Sequence, residues 1–162
     1  MYEIKLTQGK KSTVDKEDYY RLINFKWHVY KSTGGRYYAC RNNSRKHKDG
    51  HYLLKMHRVI MGLSKYDKRQ VDHINGDSLD NRRCNLRIVT PMQNAWNRGA
   101  QNNSKSGIRG VHRHTTANSW VAQIKAGDKR IHIGSFKTLE EAKHAYNEKA
   151  IELYGEYARL ND

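Results

Sequence analysis

Cysteine, proline and acidic side chains are all scarce in this 162-residue chain, and so are long apolar runs. The two cysteines, Cys40 and Cys84, lie far apart and form no CxxC pair. That excludes a structural zinc built on paired thiolates and makes a reducing cytoplasm the natural setting. No apolar run approaches the roughly 20 residues of a membrane-spanning helix, and the opening MYEIKLTQGKK has no secretory core. A soluble, cytoplasmic protein with no membrane partner is expected. Apolar residues make up only 36% and charged ones 29%, so two or three small modules are a better reading than one large core.

What is abundant is positive charge. Lysine and arginine number 31 against 16 acids, for a net charge of +15 and a pI near 9.9. Such an excess implies a polyanionic partner, because each neutralised phosphate releases condensed counterions. Charge alone fits a ribosomal-type or merely soluble basic protein equally well.

The pattern along the chain indicates an α+β fold. Residues 2–6 read as a strand, followed by a helix with Asp15 at its N-cap. Aromatic-rich strands follow over 27–30 and 37–41, with Trp27, Tyr37 and Tyr38 as core and Gly34-Gly35 as the hairpin turn. Residues 41–50 form a basic loop whose Lys46 and Lys48 suit phosphate contact. A strand over 51–56 then leads into His57-Arg58 and an apolar turn over 59–63, where a histidine is more often a structural hydrogen bonder than a ligand. Residues 99–106, GAQNNSKS, have linker composition.

Beyond the linker, strands are expected over 108–113, 120–125 and 130–136. In them Ala122, Ile124, Ile131 and Ile133 alternate with Gln123, Lys125, Arg130 and His132. Thr138 and Glu141 form a capping box before a helix with Ala142, Ala145, Tyr146, Ala150, Leu153 and Tyr154 on one face, and Gly155 ends it. The apolar sheet face should cover this helix and leave a cationic face outward, a ribbon that fits the major groove.

The stretch VDHINGDSLDNRRCNLRIVTPMQNAWNR, residues 71–98, carries the chemistry. Cleaving a phosphodiester needs an activated water, neutralisation of developing charge and help for the leaving oxygen. Mg²⁺ or Mn²⁺ prefers oxygen ligands and keeps several waters, so one carboxylate and one amide suffice; Asp72 and Asn94 meet that requirement. His73 is the candidate base, since an unperturbed imidazole titrates close to neutrality. Neighbours on a strand face opposite ways, so Asp72 and His73 converge only if the strand ends there, which the Asn75-Gly76-Asp77 turn permits. Asn85 suits loop-holding bonds to the main chain, and Thr90-Pro91 starts a helix carrying Asn94 and Trp96, the latter for packing.

VDHINGD, NLRIVT and QNAWNR, in that order, resemble the HNH, or ββα-metal, endonucleases, above all the phage and intron homing enzymes with a DH…N…N signature. The resemblance implies His73 as general base, Asp72 and Asn94 on the metal and Asn85 as structural support of the catalytic set. Many members end the motif with histidine where this chain has Asn94, a substitution usual in the subgroup. Arg109-Gly110-Val111, Trp120 to Lys125, Ile133 to Phe136, Ala145-Tyr146 and Asn161 resemble the AP2/ERF DNA-binding domain. That resemblance implies DNA contacts by Arg109, Gln123, Lys125, Arg130 and His132, and Arg98 and Arg113 join them as cations beside the same elements.

The resulting expectation is a β-rich DNA-contacting module over 1–60, a nuclease motif over 61–98, a linker over 99–106 and an AP2-like domain over 107–162. Its partner is double-stranded DNA, its cofactor Mg²⁺ or Mn²⁺ with neither structural zinc nor a small-molecule cofactor, and its setting a bacterial or phage-infected cell. A monomer with one site should nick one strand. The competing reading is a DNA-binding regulator on an inert HNH scaffold; an RNA-binding basic protein is disfavoured by the sheet reader and the DH…N…N spacing.

Overall fold

Short segments with one buried and one exposed face assemble into small antiparallel sheets and short helices, the α+β class expected. The computed structural model describes residues 1–43, 52–100 and 104–162, so Lys46 and Lys48 lie outside the described residues. The chain divides into two compact units, Met1–Asn94 and Ala95–Asp162.

In the first unit β1 (Tyr2–Lys5) pairs with β2 (Lys11–Val14), a strand that sequence reading left unassigned. Its KSTV hides the alternation, because the inward residue opposite Ile4 is a serine: Ser12 and Val14 are both fully buried. Then α1 (Lys16–Leu22) buries Asp18 and Leu22. Asp15 stands at the N-cap position, but its carboxylate accepts from the Arg83 amide at 2.8 Å and does not cap the helix. Asp18 receives the Arg83 guanidinium through two bonds of 2.8 and 2.9 Å, which satisfies a fully buried charge.

The second sheet is β3 (His28–Lys31), β4 (Tyr37–Asn42) and β5 (Leu53–Lys55) in that order. Only Gly35 of the glycine pair takes a positive φ, +81°. The strand expected up to residue 56 stops at Lys55, and residues expected as a turn form α2 (Met56–Ile60). A helix of one and a half turns is too short to display a period, which explains the difference. Next come β6 (Gln70–His73) and β7 (Leu86–Val89), paired so that Asp72 opposes Arg87, followed by α3 (Pro91–Trp96). One apolar core joins β1, β2, α1, β3, β4, α2, β6 and β7, from Ile4 to Leu86, so residues 1–60 and the ββα motif share it.

Cys40 is buried in this unit, and its thiol is pushed up to about 11 by burial, while Cys84 is exposed. Thiolate is the reactive form. A disulfide reagent at pH 8 is therefore expected to titrate one thiol rapidly in the native protein and the second only after denaturant is added. Two fast thiols in the native state would contradict the burial of Cys40.

In the second unit β8 (Val111–Arg113), β9 (Trp120–Ala126) and β10 (Lys129–Phe136) form a sheet with β9 central, covered by α4 (Leu139–Tyr154). The Thr138–Glu141 capping box is formed, and Gly155 follows the helix with φ of +54°. Val111, Ala122, Ile124, Ala142, Tyr146, Ala150 and Tyr154 make the core, with Ile131 and Ile133 packed against it. Trp96 stacks on Tyr154 with centroids 4.8 Å apart. Asn161 bonds both the amide and the carbonyl of Arg109, tying the last residues to the start of the sheet.

Candidate active site

The ββα element positions each expected catalytic side chain differently. Along β6, Gln70 and Asp72 share one face and Val71 and His73 the other. Asp72, 5% exposed, faces its cross-strand partner Arg87, whose Nε and Nη2 donate to Oδ2 at 3.0 and 2.9 Å. Thr90 and Gln93 cap α3 reciprocally, at 3.2 and 2.9 Å. The cap sets the helix so that Asn94 Nδ2 donates to Gln70 Oε1 at 2.5 Å. Asn94 is thereby drawn over the β6 face that carries Asp72.

His73 ends the strand and is 6% exposed. Its Nε2 lies 3.1 Å from Asn81 Oδ1, and its ring meets that of His57 edge-on at 5.0 Å. Tyr38 packs against both imidazoles. Burial holds the His73 pKa below its ordinary value, against the Asn81 bond and the charges of Asp72, Asp77 and Asp80, which pull it up. His57 is lowered further, by burial first and then by His73, Lys55 and Arg58. Both rings are therefore neutral near pH 7, the form in which an imidazole can accept a proton.

Asn85 holds the loop. Its Oδ1 accepts from the Asn75 amide at 2.9 Å and its Nδ2 donates to the Asp80 carbonyl at 2.8 Å, so both ends of the amide bind main chain. Gly76 turns between them with φ of +79°.

A hard divalent cation fits the donor set. Asp72 offers carboxylate oxygen, and with Nδ2 committed to Gln70 the Asn94 amide offers Oδ1. The Asp72 carboxylate would be shared with Arg87. Among the described residues no three His, Cys, Asp or Glu side chains gather to hold a metal, so water would complete the shell. A cavity of about 370 Å³ in the same unit is lined by Asn94, Gln70, His57, Lys55, Arg58 and Lys65 among others, bringing three cations to the space beside Asn94.

The second unit gathers most of the expected DNA contacts. Arg98, Arg109, Arg113, Gln123, Lys125 and Arg130 all line one concave surface. Across the β9–β10 pair Arg130 opposes Lys125 and His132 opposes Gln123, with Lys125, Arg130 and His132 exposed. Arg113 is exposed, bonded to Asn118 and over the Trp120 ring. Arg109 also serves the main chain of its own unit. Its guanidinium donates to the carbonyls of Ala95, Trp96 and Arg98, so its donors serve the fold of this unit.

Sequence reading missed Ser12, Gln70, Asn81 and Arg87. Asn81 lies in a polar run with no period, and Ser12 meets it from 69 residues away, so only the tertiary fold reveals the pair. Arg87 could have been found, because the opposite-strand position to an acid in a two-stranded ribbon is a favoured site for a cation.

Among the described residues no helix is long and apolar enough to cross a membrane. Residues 55–96 match the family model described as HNH endonuclease, and residues 106–156 match the AP2 domain model. A protein of Acanthamoeba polyphaga mimivirus, uncharacterized HNH endonuclease L560, is 36% identical over 91 residues, 56% of this chain but only 46% of its own length. Protein 3.8 of Escherichia phage T7 is 30% identical over 90 residues, 56% of this chain and 74% of that one. Dehydration-responsive element-binding protein 2A of Oryza sativa subsp. indica is 44% identical over 66 residues, 40% of this chain and 24% of its own. The two matched domains and the extent of the likeness to the phage protein lead to one assignment: the chain belongs to the HNH endonuclease family and carries an AP2 domain after its HNH domain.

Proposed function

We propose that this protein is a site-directed DNA endonuclease of the homing type, dependent on Mg²⁺ or Mn²⁺ and nicking one strand as a monomer. The observation that carries the reading is His73, a neutral imidazole held at the end of β6 inside a ββα unit that matches the HNH model. His73 accepts a proton from water, and the water oxygen bonds to phosphorus. The bond from phosphorus to the 3′ oxygen then breaks, and that oxygen takes a proton from solvent. Asp72 and Asn94 are the residues that would hold the metal, which would neutralise charge on the phosphate and leaving oxygen. Lys125, Arg130, His132, Gln123, Arg113 and Arg98 hold duplex DNA, and the chemistry itself reads little sequence.

The test is conversion of supercoiled plasmid carrying the DNA that flanks the gene. Open circles should form with Mg²⁺ or Mn²⁺ and not with chelator; plasmid left intact in every divalent metal rejects the nuclease reading. Linear product formed at the first encounter would instead reject the monomeric nicking mode. Replacing Lys125 or Arg130 by Ala should weaken binding across sequences and lower the slope of log K against log salt by about one for each lost phosphate contact. An unchanged slope would remove that residue from the DNA face.

A second reading, a DNA-binding regulator on an inert HNH scaffold, has one observation in its favour: the Asp72 carboxylate is already engaged by Arg87. It predicts tight, salt-sensitive duplex binding without scission.

A further inference from the structure

His57 is the buried imidazole that the catalytic set leaves unused. Sequence favoured a structural hydrogen bonder there, but neither ring nitrogen has a hydrogen-bond partner among the described residues; the ring meets those of Tyr38 and His73 edge-on. Nor is either nitrogen sealed from solvent, for among those residues Arg41 Nε alone is a buried side-chain polar atom without a partner. His57 is 5% exposed, so the access its nitrogens keep is through the cavity of about 370 Å³ that it lines. A polar group so placed is poised for a ligand, because leaving it unsatisfied costs free energy.

The lining decides the sign of that ligand. Lys55, Arg58 and Lys65 all line the cavity, and no carboxylate among the described residues does, so the field inside favours an anion. Arg58 commits its guanidinium to the carbonyls of Ser64, Asp67 and Arg69 and contributes charge alone. Lys65 Nζ stands over the rings of Tyr52 and Tyr66, at 4.8 and 5.2 Å. Lys55 Nζ stands 4.8 Å over the Tyr38 ring, with no acid paired to it among the described residues. Tyr38 therefore carries the Lys55 ammonium and the His57 imidazole together, where β5 passes into α2. Burial, then the charges of His73, Lys55 and Arg58, keep the imidazole neutral, with one N–H to donate.

We propose that Lys55 and His57 form a subsite for one backbone phosphate of DNA next to the bond that is cut, Lys55 supplying charge and His57 an N–H. Asn94 walls the same cavity, which sets the occupant beside the scissile group and makes it part of the strand. That placement rests on the nuclease reading; the phosphate contact itself does not. Both donors hold the strand and exchange no proton with it.

The test is binding of the duplex that flanks the gene, in chelator so that nothing is cut. Lys55→Ala should weaken binding roughly 10-fold, as loss of a hydrogen bond to a charged group does. It should also lower the slope of log K against log salt by about one. Among duplexes each carrying one neutral methylphosphonate, the wild type should lose affinity at several positions, and at one of them Lys55→Ala should lose nothing further. At that position His57→Gln, which keeps an N–H, should behave as the wild type and His57→Ala should not. An unchanged salt slope in Lys55→Ala, or a further loss at every position of the scan, overturns the proposal without any change at the buried histidine. Inorganic phosphate at constant ionic strength should leave the wild-type complex intact; displacement that disappears in Lys55→Ala would make this a site for the free ion and overturn the DNA assignment. Wild-type protein with the expected scan that never nicks in Mg²⁺ or Mn²⁺ would sink the nuclease reading alone.

Discussion

His73→Ala is expected to bind the plasmid target as the wild type does and to nick it about 10²- to 10⁴-fold more slowly, the range that positioned acid–base catalysis supplies. Binding should survive because the cationic sheet belongs to a unit with its own apolar core. The substitution is not silent structurally. It leaves Asn81 Oδ1 without its partner inside the fold, at a cost of roughly 1–3 kcal/mol. The melting temperature should drop by several degrees, so rates are compared well below it. Nicking at the wild-type rate by a folded His73→Ala protein would place the base elsewhere. His57, packed edge-on against His73 and also neutral, would be the imidazole to examine next.

Legibility from sequence follows how local each determinant is. The second unit was readable because its signals are short-range: Ala122 and Ile124 alternate with Gln123 and Lys125, and the Thr138–Glu141 box stands three residues apart. Its strand ends differ from the expected ones by one to three residues, as strand ends set by pairing partners do. In the first unit the polar strand β2 and the short helix α2 carried no period to find. Asp72, His73, Asn85 and Asn94 were singled out by spacing and resemblance. Their partners were not, because Arg87, Asn81 and Gln70 are set by strand register and helix placement. A motif position suggested a DNA contact by Arg109, and three carbonyls within its own unit use that guanidinium.

Gly110→Ala should abolish cooperative folding of the second unit, and DNA binding with it. Gly110 has φ of +73°, which costs an L-residue roughly 1–2 kcal/mol. An added Cβ would lie 2.1 Å from Tyr146 Cε2 and 2.5 Å from the Gln123 carbonyl oxygen. Neither neighbour can yield easily: Tyr146 is 2% exposed at the centre of the core, and Gln123 is bound to Gly110 through main chain at 2.8 Å. Overpacking of this kind costs about 1–3 kcal/mol or more. The sum approaches the whole stability of a unit this small, which is roughly 3–10 kcal/mol. Gly127→Ala supplies the control, since Gly127 has φ of +61° with nothing within 4 Å of its added Cβ, and should lose only the conformational part. Cys40, in the first unit's sheet, should stay protected from thiol reagent in both variants while Gly110→Ala loses its binding. Equal melting of the two variants would mean that the Tyr146 ring gives way and that the close approach at Gly110 does not hold this unit together.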